Sequence, residues 1–353
     1  MEFRVNKIHT CLKVHGIDGL FLSCASNISY LTDYCSRDSY LLITKKENIF
    51  FTDFRYLEEV EKRLGGRLCV QRLKGDIFEA VKECVLRLNI RALGFEASYL
   101  AFSSYQKLKE TLPRAITLKP TCGIVEKLRR VKDASELRKI RRATRIAQAA
   151  ILFAQEKIRP GKREIEVVAE LEHFIRYNGA RSSAFEIIVA AGPNSCFPHH
   201  LSSLRKLRKG EPVLVDLGVN YEGYKSDLTR VFFLGKINSL AKKIYQIVRQ
   251  AQTTAICRIR TGIMAKEVDA QARNFISEKG FGEYFGHSLG HGIGLDVHEA
   301  PRLSAKEDSV LRAGEVFTVE PAIYLPGKFG IRIEDMVLVT KKGVEVLSGS
   351  LNK

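Results

Sequence analysis

No apolar run in this chain approaches the ~18–20 residues a membrane-spanning helix needs, so nothing in it is expected to span a bilayer. The N-terminus, Met1-Glu2-Phe3-Arg4-Val5-Asn6-Lys7, lacks the apolar segment and cleavage site of a secretory signal. The eight cysteines are scattered and include no Cys-x-x-Cys pair, which argues against a disulfide frame or a thiolate zinc site. Together these absences predict a cytoplasmic protein with reduced thiols. Gly-rich phosphate loops, zinc fingers and aromatic-basic RNA signatures are also missing.

What remains is ordinary for a globular protein. Of 353 residues, 45% are hydrophobic and 27% charged, enough for two domains that each bury a core. The net charge of +17 raises the question of a nucleic-acid partner. The densest basic stretch, Lys127-Leu128-Arg129-Arg130-Val131-Lys132, reads as a linker. Beyond it, Arg138, Lys139, Arg141, Arg142 and Arg145 share a helix whose other face carries Leu137, Ile140, Thr144, Ala147, Ile151, Ala154 and Ile158. A solvated face of an amphipathic helix accounts for that charge, and no nucleic-acid partner is expected.

Four carboxylates stand where idle charges are costly. Asp216 follows Pro212-Val213-Leu214-Val215, and Asp227 opens a run that continues Leu228-Thr229-Arg230-Val231-Phe232-Phe233. Glu320 closes Val316-Phe317-Thr318-Val319, and Glu334 lies within Ile331 to Val339. A carboxylate in such strands costs several kcal/mol unless it is paired, neutralised or bound to metal. Near them in sequence, Gly286 to Glu299 carries His287, His291 and His298 between glycines, a composition suited to a site wall. Four oxygen ligands with His291 form a set that fits Mn²⁺, Co²⁺, Fe²⁺ or Zn²⁺. Two such ions sharing carboxylates can supply a hydroxide at neutral pH. His298 suits a neutral donor or proton relay, and His199, in Phe197-Pro198-His199-His200, is a second candidate. Arg332 precedes Glu334 by two positions, so it shares that strand face and is expected to orient a metal-bound carboxylate.

The chain also repeats itself. Ile158-Arg159-Pro160-Gly161 through Gly179 recurs as Ile259-Arg260-Thr261-Gly262 through Gly280, with Glu166/Glu267, Val167/Val268 and Phe174/Phe275 identical. Gly210-Glu211 to Asp216 then matches Gly314-Glu315 to Glu320, which pairs Asp216 with Glu320. A longer hairpin, with a wide turn over Gly218 to Ser226, would pair Asp227 with Glu334. A duplicated helix–helix–hairpin unit should fold into two similar halves whose carboxylates converge on a pseudo-twofold axis.

Upstream, Asp18 to Ser23, Tyr40 to Thr44 and Asn48 to Thr52 read as strands, and Ile77 to Leu88 and Phe102 to Leu112 as helices. The expected domains are 1–125 and 126–353. Asp133-Ala134-Ser135-Glu136 marks a helix start near that boundary.

At these residues the chain resembles the pita-bread metallopeptidases, in the aminopeptidase P and prolidase branch. The resemblance rests on Val215-Asp216-Leu217-Gly218, Ser226-Asp227-Leu228-Thr229-Arg230, Gly290-His291-Gly292-Ile293-Gly294, Val319-Glu320-Pro321-Ala322 and Ile331-Arg332-Ile333-Glu334. Ile28 to Thr32 and Phe51 to Tyr56 extend it to the leading domain. It implies an α/β (α+β) fold: an N-terminal three-layer α/β domain of the creatinase/prolidase kind, then a duplicated pita-bread catalytic domain. It also implies two divalent ions per chain, most often manganese, on Asp216, Asp227, His291, Glu320 and Glu334. Asp227 and Glu334 would bridge the ions, and Glu320 would also shuttle the proton. His298 and His199 would assist catalysis, while His287 and Arg332 would line the substrate site.

The implied reaction is hydrolysis of the Xaa-Pro bond at the N-terminus of proline-containing peptides, with a metal-bridged hydroxide as nucleophile and the chain in a homo-oligomer. The short segment between His298 and Glu320 leaves little room for a loop that reads a dipeptide's free carboxylate, favouring aminopeptidase P over prolidase. Methionine aminopeptidases lack such a leading domain, and creatinase works without metal. A non-catalytic binding member of the fold would have lost ligands, and none is lost. Ala322 replaces the glycine usual after Glu-Pro.

Overall fold

A computed structural model describes residues 2–35 and 37–351. They form two compact units, Met1–Arg129 and Arg130–Lys353. The first is built on a six-stranded mixed sheet in the order Cys69–Arg72, Asn48–Thr52, Ser39–Thr44, Gly19–Leu22, Ala92–Glu96 and Thr117–Thr121. Both faces are covered. Phe21, Leu42 and Phe51 pack with Val81, Val85 and Leu108 of the helices Ile77–Arg87 and Phe102–Thr111. The alternate side chains Leu20, Leu22, Leu41, Ile43 and Phe50 are also fully buried, as the two-residue period of a strand requires. This is the three-layer arrangement expected.

The stretch expected to be a basic linker is structured instead. Ile124–Arg129 is helical, and Arg129 is buried, donating to Asn27 Oδ1 at 2.7 Å. In the second unit Arg130 pairs with Glu315, and Lys132 is buried against Glu299. These cations compensate buried carboxylates. On the next helix, Ala134–Lys157, a capping box of Asp133 and Glu136 fixes the start. Its Ile140, Ala147, Ile151 and Ala154 are buried, while Arg138, Arg142 and Arg145 face solvent.

The second unit is the duplicated pita-bread domain. The helix pair Ala134–Lys157 and Glu164–Tyr177 leads into the strands Ile188–Ala191, Pro212–Leu217 and Leu228–Phe233, in a sheet with Pro212–Leu217 at its centre. The pair Ser239–Arg258 and Ala265–Glu278 leads likewise into Gly290–Gly292, Val316–Val319 and Asp335–Thr340. Equivalent contacts recur. Gly161 N donates to Leu207 O and Gly262 N to Leu311 O, at 2.8 and 3.0 Å, and both glycines have φ of 90°. Gly210 N donates to Leu234 O, and Gly314 N to Val339 O. Strands of both halves share one core, in which Leu214, Val231, Phe317 and Val337 pack with Ile244 and Val248. Each such apolar side chain contributes about 1.5–3 kcal/mol on burial.

The register corrects the expected carboxylate pairing. Asp216 lies opposite Thr229, while Val319 lies opposite Asp335, which sets Glu320 beside Glu334. Thr229, not Asp227, therefore holds the place equivalent to Glu334. The turn also differs from the wide one expected. Tyr221 pairs with Tyr224, and Glu222 and Gly223 both have positive φ, 49° and 88°. That is the two-residue turn whose twist suits adjacent strands. The hairpin changes sheets at Gly218, where a Cβ would lie 2.4 Å from Ser226 O, and Asp227 is presented at this break. No helix among the described residues is long and apolar enough to cross a membrane.

Candidate active site

A cavity of about 950 Å³ opens in the second unit, and every candidate residue named above lines it. Asp216 comes from the central strand of the first half, Asp227 from the hairpin break, His291 from Gly290–Gly292, and Glu320 and Glu334 from the hairpin of the second half. Ligand atoms of Asp227, His291 and Glu334 lie within 4.8 Å of one another. His291 Nε2 is 3.3 Å from Glu320 Oε1 and 3.7 Å from Asp227 Oδ2.

The charges are out of balance without a cation. Burial pushes Asp227 well above the usual carboxylate range, and the charges of Glu334, Asp216 and Glu320 push it further. Glu334 is raised well above its ordinary value in the same way, by burial and then by Glu320 and Asp216. Burial also raises Asp216, although Arg332 pulls against it. Glu320 differs: burial opposes its ionisation, but the hydrogen bond and charge of His291 outweigh that and hold it below the ordinary value. His291 is raised in return, against its own burial.

Asp216 supplies a further test of a metal. Its Oδ2 takes the Arg332 guanidinium, while its Oδ1 is buried with no hydrogen-bond partner among the described residues. An orphaned carboxylate oxygen beside raised carboxylates and an imidazole is the donor set a hard or borderline divalent cation takes. The residues fit the group.

Their supports were only partly legible in the sequence. Thr229 Oγ1 donates to Glu334 Oε2 at 2.7 Å and accepts from Arg332 Nε at 3.2 Å. Thr318 Oγ1 donates to Glu320 Oε1 and accepts from His291 N, both at 3.1 Å. Each threonine lies two positions from a carboxylate, Asp227 or Glu320, on the same strand face, a signal the alternation rule could have found. Arg332 binds Asp216 rather than Glu334, and its Nη1 donates to Tyr324 OH at 2.6 Å. Tyr324 is pushed up to about 12 by burial, so it stays protonated and donates to His287 Nε2 at 3.3 Å. His287 Nδ1 then donates to Ser288 O at 2.7 Å, which fixes the tautomer. Ala322 sits in strand opposite Arg332, outside the positive-φ residues, so no glycine is needed there.

His298 packs edge-on against His291, ring centroids 4.2 Å apart, and burial followed by the His291 charge lowers its pKa. His199 is exposed on the cavity wall, whereas its neighbour His200 is bound to the buried Glu164 at 3.0 Å. Arg302, which sequence reasoning passed over, lies directly opposite His291 in the ladder and lines the same cavity.

Fold, duplication and a buried carboxylate–imidazole cluster together define a metallopeptidase of the pita-bread type. The chain belongs to metallopeptidase family M24, whose model matches residues 138–341, and the Creatinase/Prolidase N-terminal domain matches residues 4–131. It is similar to the solved Xaa-Pro dipeptidase from Bacillus anthracis, with 42% identity, a TM-score of 0.96, and 100% of this chain and 98% of the other covered. The Xaa-Pro dipeptidase of Pyrococcus horikoshii is 36% identical over 99% of this chain and 97% of its own length. The X-Pro aminopeptidase of Thermotoga maritima superposes with a TM-score of 0.89 at 36% identity, covering 98% and 97%.

Proposed function

We propose that this metallopeptidase is an Xaa-Pro dipeptidase that holds two divalent ions, manganese foremost, on Asp216, Asp227, His291, Glu320 and Glu334. Hydrolysis of Xaa-Pro bonds agrees with the names of its relatives in both branches, and dependence on a metal with the metallopeptidase family. Arg302 carries the choice of dipeptidase over the aminopeptidase P favoured by the short segment before Glu320. It is a cation on the cavity wall, one strand from His291, where the free carboxylate of a prolyl residue needs a partner. The added loop that the shortness of that segment spoke against is then not required.

When bound, the ions would supply an activated water and polarise the scissile carbonyl. The remaining work falls to the chain. Glu320, held ionised by His291, accepts the proton of the attacking water and returns it to the leaving prolyl nitrogen. His298, kept neutral, donates to the developing oxyanion, with His199 as a second donor. Arg332 and Tyr324 keep Asp216 oriented, and Tyr324 also holds His287 against the substrate site. An Xaa-Pro amide has no N–H, so a site that does not grip the backbone there suits it.

Hydrolysis of an Xaa-Pro dipeptide is compared with that of an Xaa-Pro-Yaa tripeptide after Mn²⁺ is returned to metal-free enzyme. A higher kcat/KM on the dipeptide and metal content near two ions per chain support the reading. Preference for the tripeptide replaces it with aminopeptidase P. The homo-oligomer and the cytoplasmic location belong to the same proposal; exposed Phe197, Leu201 and Leu204 support the first, and the scattered cysteines without a Cys-x-x-Cys pair support the second.

A further inference from the structure

His298 has a ring contact with His291, but no hydrogen bond from another described residue fixes its aim. Its direction therefore comes from the backbone of the loop Ile293 to His298, between the strands Gly290–Gly292 and Glu299–Leu303, which is costly to order. That loop is held from two sides. Glu299 folds back under it, its Oε1 accepting from Asp296 N at 2.9 Å. The carboxylate lies so close to Gly294 that a Cβ there would be 2.9 Å from both oxygens. Glu299 Oε2 in turn meets Lys132 Nζ at 2.9 Å, in a pair whose side chains are 7% and 0% exposed. Lys132 is anchored by its own N–H, which donates to Gly314 O at 2.9 Å. From the other side Lys225 N donates to Gly294 O at 2.8 Å, and its ammonium donates to Leu295 O.

A buried ion pair is a poor stabiliser, because desolvation offsets its attraction and an apolar pair of like volume does as well or better. Its use here is directional. We propose that Glu299, charged and anchored by Lys132, and Lys225 opposite it, are positioning residues for His298. They clamp the three consecutive residues Gly294, Leu295 and Asp296 so that the imidazole two positions on meets the reacting carbonyl. This rests on the reading that His298 serves the reaction.

A double-mutant cycle on the full-length, Mn²⁺-loaded enzyme tests it with an Xaa-Pro dipeptide. Glu299→Gln keeps an acceptor for Asp296 N but removes the charge. It should lower kcat by about tenfold or more, within the range usual for residues that orient a metal site's working groups. KM and metal content should stay within about twofold of the parent, and the same substitution in a His298→Ala background should change kcat by less than about twofold. Lys225→Met, which leaves the buried pair intact, should give the same non-additivity and carries the test if Glu299→Gln does not fold. Equal effects in both backgrounds overturn the positioning role while leaving His298 its function. An unchanged kcat in His298→Ala overturns both.

Discussion

Thr229 occupies in the first hairpin the place that Glu334 occupies in the second, and its hydroxyl donates to Glu334 Oε2 at 2.7 Å. The two halves thus meet through equivalent positions that have diverged in chemistry. One supplies a carboxylate proposed as a metal ligand, and the other supplies the hydrogen bond that aims it. Thr229 Oγ1 also accepts from Arg332 Nε, so Thr229 links both halves of the candidate ligand set.

Thr229→Val should therefore weaken metal retention by about 10–100-fold, as expected for loss of a group orienting a ligand. Thr229→Ser, which keeps the hydroxyl, should stay near wild type. Titration against a metal indicator reads both. Unaltered affinity in Thr229→Val would show that Glu334 needs no such support.

Chemistry and metal binding should separate at His298 and Glu320. His298→Ala is expected to lower kcat by ~10²–10³, the loss usual for one oxyanion donor, with metal content unchanged. Glu320→Gln should reduce turnover and metal content together, because in the proposed mechanism that carboxylate both ligates and moves the proton. Metal analysis beside steady-state kinetics distinguishes them. An empty site in His298→Ala would remove it from the donor role.

Arg302→Ala should raise KM for an Xaa-Pro dipeptide by about 10-fold or more, the loss of one charge-assisted contact of roughly 1.5–3 kcal/mol. The same change should matter much less for an Xaa-Pro amide, which has no carboxylate to bind. Equal effects on both substrates would take the free carboxylate away from Arg302.

The metal-free protein should carry a pH signature. Burial, then neighbouring charges, raise Asp227 and Glu334 above ordinary carboxylates, so both bind protons more tightly folded than unfolded. Their stabilising contribution is full below ~4 and is lost as the pH rises through their raised values. Chelated wild type should lose Tm relative to the double variant Asp227→Asn/Glu334→Gln over the interval in which the pH rises from the ordinary carboxylate range through those raised values. The gain in Tm on adding Mn²⁺ should grow over the same interval, since the ion takes the place of the protons. A Tm difference that is flat with pH would contradict the raised values.

Much of this was legible in the chain. Four charges inside apolar runs cannot be idle, because burial without compensation is too costly, and Asp216, Asp227, Glu320 and Glu334 do line one cavity. The capping box at Asp133 and Glu136 and the repeated Gly161 and Gly262 are local signals, and local backbone chemistry settles them. The two-residue turn at Glu222 and Gly223 was missed because a Glu-Gly pair is a weaker cue than Asn-Gly or Asp-Gly.

The sequence by itself determined the family, the duplication and the residue types of the site, since composition, spacing and the cost of buried charge act along the chain. Tertiary structure decided which half answers which: Thr229 with Glu334, Arg332 with Asp216, Lys132 with Glu299, Arg302 beside His291. Those pairs join residues distant along the chain, apart from the hairpin neighbours Arg302 and His291. A threonine, arginine or lysine carries no mark of its partner until strand register and packing bring the two within reach of a hydrogen bond.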